Sequence, residues 1–177
     1  MHRMMRIFCL ALACFVALVF AIPAPAQTQS SSSSGSSDKA KIEALYQQLI
    51  KACNAKDVNG IMAHYDPNEL FVFDLVPPRE YPSWDAYKKD WEGVFTSMPG
   101  PMNISISNLA ITVVGPVAYA RSIQSGYFTE IDGSRADIAV RVTDVLRKVK
   151  GKWLIVQEHA SVPVDLASGK ADLMSKP

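Results

Sequence analysis

The spacing of apolar residues along the chain changes from a helical period to a strand period close to residue 100. Before that point, Ile42, Leu45, Leu49 and Cys53 recur at steps of three and four. This spacing predicts a first helix that buries one face, with Asp38 as its N-cap and Cys53 as a core residue.

Two more helices and a short strand complete the first half. Asp57 can cap a short helix, and Ser83 can cap a longer one with a broad apolar and aromatic face. Between them, LFVFDLVPP at 70–78 reads as a strand that Pro77 and Pro78 end, because proline cannot donate to a ladder. Asp74 interrupts this apolar run. Since an unpaired buried charge is costly, Asp74 must reach solvent, find a partner or take up a proton.

The second half alternates apolar and polar residues, as strands do. Four strands are predicted over 103–114, 117–130, 136–148 and 152–163, with short turns at Gly115, Gly133 and Gly151 between them. Three helices followed by a long antiparallel meander predict an α+β domain whose helices pack on one face of the sheet.

The first 37 residues follow neither pattern. Arg3 and Arg6 precede an uncharged apolar run at 7–21 and an Ala24-Pro25-Ala26 site, which is the pattern of a secretory signal peptide cut before Gln27. A membrane anchor is the alternative, but a spanning helix needs roughly 20 apolar residues. We therefore expect a signal peptide at 1–26, a Ser-rich linker at 27–37, a domain at 38–165 and a tail at 166–177, in a protein exported to the periplasm or secreted.

Charge and cysteine content exclude several function classes. The chain has 18 basic and 17 acidic residues, and removing Arg3 and Arg6 would leave 16 basic ones. This balance indicates no nucleic-acid partner and no membrane partner for the mature form. Cys53 alone would remain after processing, so no internal disulfide is expected. Of the three histidines only His64 and His159 would remain after processing, and there is no H-E-x-x-H motif, so neither a metal nor another cofactor is expected.

Four segments, in order, resemble the nuclear transport factor 2-like superfamily, and within it the SnoaL-like, ketosteroid-isomerase-homologue proteins. They are NAKDVNGIMAHYDP, LFVFDLVPP, SWDAYKKDWEGVF and RVTDVLRKVKGKWLIVQEHASVPVD, and the resemblance covers 38–165. It implies a cone: a strongly bent antiparallel sheet wrapped around three N-terminal helices, with a pocket open at one end. The strand that carries Asp74 would line the pocket mouth.

The resemblance also selects candidate site residues. In ketosteroid isomerases, the base position resembles Asp74 and the acid of the penultimate strand matches Asp144. Pocket positions of the similar association domain of calcium/calmodulin-dependent protein kinase match Trp91, Arg121 and Asp144. Alternation alone does not choose which face of each strand points inward. The resemblance favours an interior of Asp74, Trp91, Arg121, Asp144 and Glu158, with Asp74 and Asp144 as catalytic candidates and the others as ligand-binding ones. A bulge in any strand would reverse the faces beyond it.

Several of these residues have an alternative role. Asp74 could brace a neighbouring loop, Arg121 could pair with Glu158 across the sheet, and Trp91 could be a core residue. His159 could lie either on the convex face of the sheet or in the pocket.

Two functions follow from the resemblance. The first is an exported binding module, without assured catalysis, for a small apolar molecule that carries a carbonyl or hydroxyl. The second is an isomerase, cyclase or lyase that needs no cofactor and uses Asp74 as general base next to a carbonyl. Leu49 occupies the position of the family's oxyanion-binding tyrosine, so the catalytic hypothesis requires Tyr46, one turn away, to approach Asp144.

A structural dimeric adaptor is a third option. Related domains pair through the convex face of the sheet. Regular alternation would place Trp153, Ile155 and His159 there, and pairing would cover an otherwise exposed apolar patch. The sequence therefore predicts a homodimer.

Overall fold

Three helices precede four long strands in a computed structural model that describes residues 31–175. The predicted signal peptide lies outside the described residues. The helices are α1 (Ser31–Asn54), α2 (Val58–Met62) and α3 (Trp84–Ser97); the strands are β1 (Phe71–Phe73), β2 (Asn103–Val114), β3 (Val117–Thr129), β4 (Arg135–Val149), β5 (Lys152–Ser161), β6 (Val164–Asp165) and β7 (Lys170–Ala171). The predicted α+β class and element order are confirmed.

The main sheet has the strand order β1-β5-β4-β3-β2. Strands β2 to β5 form the predicted antiparallel meander, whereas β1 pairs parallel to β5, with Val72 opposite Glu158. The sheet therefore has one parallel pair that the sequence pattern did not predict. That pairing brings Asp74, the first residue after β1, to the edge of the sheet beside β5.

Two irregularities accompany the curvature of the sheet. The register of β2 against β3 shifts between Ser107 and Ala110. At Gly126, β3 approaches β2 so closely that an added Cβ would lie 1.8 Å from the carbonyl oxygen of Asn103. Register shifts of this kind bend a strand, and only glycine allows so close an approach of two backbones.

Helix α1 lies across the concave side of the sheet. Its predicted stripe of Ile42, Leu45, Leu49 and Cys53 is buried, which confirms the core role of Cys53. Its predicted start is wrong, because the helix begins at Ser31 and takes in part of the proposed linker. Asp38 instead lies inside the helix, where its carboxylate accepts two hydrogen bonds of 2.8 Å from Lys148 Nζ on β4.

A bulge changes the faces of β5. Val145 on β4 pairs with Gln157, but the next residue, Leu146, pairs with Ile155, so Val156 has no partner. Trp153 and Ile155 consequently share the concave face with Glu158, and both are buried. The prediction that Trp153 and Ile155 lie on the convex face is wrong, because it assumed unbroken alternation.

The segment predicted as a tail is part of the domain. Strands β6 and β7 form a small hairpin. Beyond it, the carbonyl oxygen of Leu173 accepts a hydrogen bond of 2.8 Å from the backbone N–H of Ala139 on β4. The C-terminal segment thus reaches the open end of the sheet.

Candidate functional site

A cavity of ≈ 220 Å³ opens between α3 and the concave side of the sheet. Most of its wall is apolar and comes from α3, β2 to β5 and the C-terminal segment: Val94, Met98, Ile104, Phe128, Ile138, Val140, Val142, Ala160 and Leu173. Polar lining comes from Asp74, Asp90, Gln124, Asp137 and Glu158. Within residues 31–175, no lysine, arginine or histidine lines this cavity.

Local structure places the carboxyl groups of Asp74 and Glu158 at the cavity. Pro77 and Pro78 follow β1, so the chain leaves the sheet at Asp74, and Asp74 lines the cavity mouth. Its Oδ1 accepts a hydrogen bond of 2.6 Å from the Leu75 N–H, so Asp74 both braces its loop and faces the cavity. Glu158 reaches the cavity from the middle of β5.

The structure brings together four of the five predicted interior residues. Asp74, Trp91 and Glu158 line the cavity. Asp144 is buried opposite Glu158 in the β4–β5 register, behind the cavity wall. Trp91 also packs against Phe95 and Tyr87 in α3, so its core and lining roles coincide.

Arg121 does not belong to this group. On β3 the concave positions are taken by Ala118, Ala120 and Ser122, which are buried, whereas Arg121 is exposed on the opposite face. The predicted inward orientation of Arg121 is wrong, and the alternative role, a pairing with Glu158 across the sheet, is excluded by the same orientation. His159 is exposed on the convex side as well, against the ring of Phe73.

Three tyrosine hydroxyls surround the Asp144–Glu158 pair. Tyr46 donates to Asp144 Oδ2 at 2.6 Å, so the approach that the catalytic hypothesis required is present. Tyr65 and Tyr87 donate to Glu158 Oε2 and Oε1, each at 2.7 Å. The arrangement is a buried carboxyl pair with a hydrogen-bond donor on each outer side.

Tyr65 and Tyr87 are site residues that the sequence analysis did not identify, because they lie among apolar residues of the helical half, where the pattern predicts core packing. Their rings are indeed buried. A signal was available: the hydroxyl of a buried tyrosine needs a partner, and few polar groups point inward in a domain of this kind.

Burial and like charges raise the pKa values of the carboxyl groups. Burial first, and then the neighbouring Glu158, raise the pKa of Asp144 well above its usual range. Burial also raises the pKa of Glu158, whereas the hydrogen bonds from Tyr65 and Tyr87 lower it. At Asp74, burial and the charge of Glu158 raise the pKa to about 7, although the Leu75 N–H opposes this. Since no lysine, arginine or histidine among residues 31–175 lines the wall, protons must compensate part of this charge near neutral pH.

Other kinds of site are not formed by the described residues. No group of His, Cys, Asp and Glu side chains in that part of the chain could hold a metal ion. Its helices are all too short or too polar to cross a membrane. The Cys53 thiol lines the cavity, and burial raises its pKa to about 12, so it is a neutral group there.

Residues 42–165 match the SnoaL-like domain family. No curated protein matches the chain significantly.

Solved structures with the same fold are numerous. An NTF2-like protein of unknown function from Pseudomonas putida KT2440 is 25% identical, with a TM-score of 0.72 over 80% of this chain and 98% of that one. A putative scytalone dehydratase from Novosphingobium aromaticivorans DSM 12444 is 20% identical, with a TM-score of 0.66 over 75% and 88%. A ketosteroid isomerase-like protein from Erwinia carotovora atroseptica SCRI1043 is 22% identical, with a TM-score of 0.60 over 69% and 93%.

Proposed function

The chain belongs to the SnoaL-like domain family and has the nuclear transport factor 2-like fold, and from that premise we propose that it binds a small, neutral, mainly apolar molecule that carries a carbonyl or hydroxyl group. The observation that carries this proposal is the composition of the cavity. An apolar wall encloses the carboxyl groups of Asp74 and Glu158, and no cation among the described residues lines it.

The volume of the cavity limits the size of the ligand. A cavity of about 150 Å³ in an engineered protein holds benzene. At the same packing, ≈ 220 Å³ accommodates about nine non-hydrogen atoms. A single substituted ring fits this space, and a larger skeleton would extend through the mouth beside Asp74.

The charge of the cavity limits the chemistry of the ligand. An anion would approach Asp74 and Glu158 with no lysine, arginine or histidine of the described lining to offset the repulsion. A neutral molecule avoids that cost and can still accept from a protonated carboxyl or donate to an ionised one.

The test uses two probes of equal size. Titration calorimetry at about pH 7 should detect binding of acetophenone, and much weaker or no binding of benzoate. Native mass spectrometry of the protein purified from its own host should show a retained neutral ligand. Binding of benzoate at least as tight as that of acetophenone would refute the proposal.

Proton transfer next to a carbonyl is the second candidate function, favoured by the pKa of about 7 at Asp74. A general base works best when its pKa lies near the working pH. In this reaction Asp74 takes a proton from the carbon beside the carbonyl and returns it to the substrate.

Exchange with solvent tests this second function. Acetophenone in D₂O should gain deuterium at its methyl group with catalytic amounts of the protein, and Asp74→Asn should abolish the gain while acetophenone still binds. Equal exchange with both proteins would exclude Asp74 as the base.

We propose as well that the protein is exported and forms a homodimer. Export is supported by the signal-like pattern at 1–26. The homodimer is supported by the resemblance to domains that pair through the convex face of the sheet.

A further inference from the structure

Glu158 combines two properties that no other carboxyl group among the described residues shares. It accepts hydrogen bonds from two buried tyrosines, and it lines the cavity. Tyr65 occupies Oε2 and Tyr87 occupies Oε1. A carboxylate offers about four acceptor positions, so these two hydroxyls leave two.

Asp144 accounts for one of the two remaining positions. Its carboxyl is buried next to Glu158, its register partner on β5. Oδ2 of Asp144 accepts from Tyr46, whereas Oδ1 is buried without a partner as long as Asp144 is ionised. A proton on Oδ1 removes this defect, because Asp144 then donates to Glu158 and the two groups no longer repel each other.

Tyr46 fixes which oxygen of Asp144 carries the proton. Its hydroxyl donates to Oδ2 at 2.6 Å, so the proton must be on Oδ1, the oxygen free to bond Glu158. Two tyrosine hydroxyls stabilise the charged form of Glu158, whereas one, from Tyr46, stabilises that of Asp144. The same group of residues therefore favours neutral Asp144 and ionised Glu158.

We propose that Glu158 is an ionised acceptor held by Tyr65, Tyr87 and neutral Asp144, and that its one free acceptor position recognises a hydroxyl group on the ligand. Asp144 is then a positioning residue, since its proton is committed to Glu158 and its side chain lies behind the cavity wall. This inference rests on the proposed binding function and narrows it to alcohols and phenols.

The geometry also assigns different tasks to the two cavity carboxyls. Glu158 accepts from two buried tyrosines and, in the proposed state, from Asp144, whereas Asp74 accepts from one donor, the Leu75 N–H. Two carboxyls whose surroundings differ in this way take different protonation states at one pH. Glu158 accepts from the ligand, and Asp74, at the mouth, exchanges its proton near neutral pH.

A matched pair of probes tests the hydroxyl preference. Calorimetry should show para-ethylphenol binding about ten- to a hundredfold more tightly than para-ethyltoluene, which has a methyl group of similar size in place of the hydroxyl, because hydrogen bonds to charged groups are among the stronger ones. Glu158→Gln should reduce this ratio to near one, since the amide has one acceptor oxygen and two tyrosines compete for it. Glu130→Gln, the same change at an exposed glutamate in the β3–β4 turn, should leave the ratio unchanged.

Asp144→Asn tests the position of the proton. The asparagine amide can donate to Glu158 as the protonated acid does, so the ratio should be kept. Asp144→Val removes that donor, and the phenol preference should weaken because Glu158 is no longer held in place. Carboxyl NMR titration of the unliganded protein gives an independent readout, with Asp144 protonated and Glu158 ionised at about pH 7.

The outcomes distinguish a failure of this inference from a failure of the proposed binding function. A phenol preference that disappears in Glu158→Gln supports the inference. Equal binding of the two probes, or a preference that survives Glu158→Gln, overturns it even if acetophenone binds. NMR signals showing Glu158 protonated beside ionised Asp144 also overturn it. If no probe binds while Glu158 is ionised beside protonated Asp144, the binding function and the hydroxyl recognition fail together, and only the assigned proton position stands.

Discussion

At the scale of single residues, buried hydroxyls determine what the carboxyl groups can do. Tyr46 donates to Asp144, and Tyr65 and Tyr87 donate to Glu158, all within the buried interior. Burial and the adjacent carboxyl groups raise the pKa of each tyrosine above its usual value. The three hydroxyls are therefore neutral donors near neutral pH.

Tyr46→Phe should lower the free energy of unfolding by about 1–3 kcal/mol, because it leaves Oδ2 of Asp144 buried without a donor. Urea unfolding at about pH 7 measures the change. Tyr81→Phe is the matched control. Tyr81 donates to Asp90 at 2.7 Å in a partly buried pair that water can reach, so this change should lower the free energy of unfolding by less. If both changes lower the free energy of unfolding equally, the buried Tyr46–Asp144 hydrogen bond stabilises the protein no more than the partly exposed one.

The pH dependence of stability should identify Asp74. The pKa of Asp74 is 3.8 in the unfolded chain and about 7 in the folded one. The contribution of Asp74 to the free energy of unfolding is therefore fully present below about pH 4 and is lost as the pH rises towards 7. Asp74→Asn should therefore gain stability over the wild type across this window, by at most about 4 kcal/mol above pH 7. Urea unfolding at a series of pH values measures the difference.

The stability contribution of Asp132 should change with pH in the opposite direction, so Asp132 serves as the control. Hydrogen bonds from Ser134 lower its pKa, so its contribution is present above the unfolded pKa and is lost on acidification. Asp132→Asn should destabilise the protein at neutral pH and have no effect at low pH. A pH-independent effect of Asp74→Asn would mean that Asp74 is solvated in the folded protein.

At the scale of elements, the unpaired Val156 decides which residues of β5 enter the core. The alternation of apolar and polar residues predicted the strands and, together with the resemblance, the inward direction of Glu158, which follows the bulge. It failed for Trp153 and Ile155, which precede the bulge and therefore point to the opposite face from the one that unbroken alternation gives them. A bulge depends on how β4 and β5 pair, which is a tertiary property that neither strand's sequence records.

The same limit explains the other differences. Arg121 was assigned inward from a matched position in related proteins, whereas the small residues on either side, Ala120 and Ser122, were the local signal for the concave face. The parallel pairing of β1 with β5 depends on contacts between residues far apart in the chain. Helices and strands with strong periodicity could be predicted, and register could not.

Trp153→Ala tests the bulge directly. Trp153 is 3% exposed, so truncation should cost about 3–5 kcal/mol in the free energy of unfolding. Regular alternation would place Gln157 on the same face, but Gln157 is exposed, and Gln157→Ala should change stability by no more than about 0.5 kcal/mol. Chemical denaturation of both variants gives the comparison, and similar small effects would contradict the bulge.

At the scale of the whole molecule, the convex face of the sheet differs from the one that the dimer prediction assumed. Trp153 and Ile155 belong to the core, so they contribute no apolar patch. The register instead places Arg121, Thr143 and His159 in one row across the convex face, with exposed Tyr119 beside it. A homodimer through this face would be comparatively polar and therefore weaker than an apolar one.

Sedimentation over a range of concentrations should show a reversible monomer–dimer equilibrium. Thr143→Arg adds a cation between Arg121 and His159, and in a twofold pairing these charges would face their copies, so the dimer should dissociate. Thr96→Arg, on the exposed side of α3, should leave the equilibrium unchanged. A wild-type protein that stays monomeric at every concentration would reject the homodimer.

Export is the property of the whole chain that rests on sequence alone. Signal peptidase requires small residues at the first and third positions before the cut, and Ala24 and Ala26 meet this requirement after the apolar run at 7–21. We propose a mature protein that begins at Gln27, so that α1, which starts at Ser31, begins shortly after the new terminus. Intact-mass analysis of the full chain expressed in a bacterium should find this form in the periplasmic or extracellular fraction. Ala26→Lys should leave residues 1–26 attached, because a long charged side chain does not fit the peptidase site, whereas the neighbouring change Ile22→Leu should be processed normally. Recovery of exported wild-type protein that still carries Met1 would show that the N-terminal segment acts as an anchor instead.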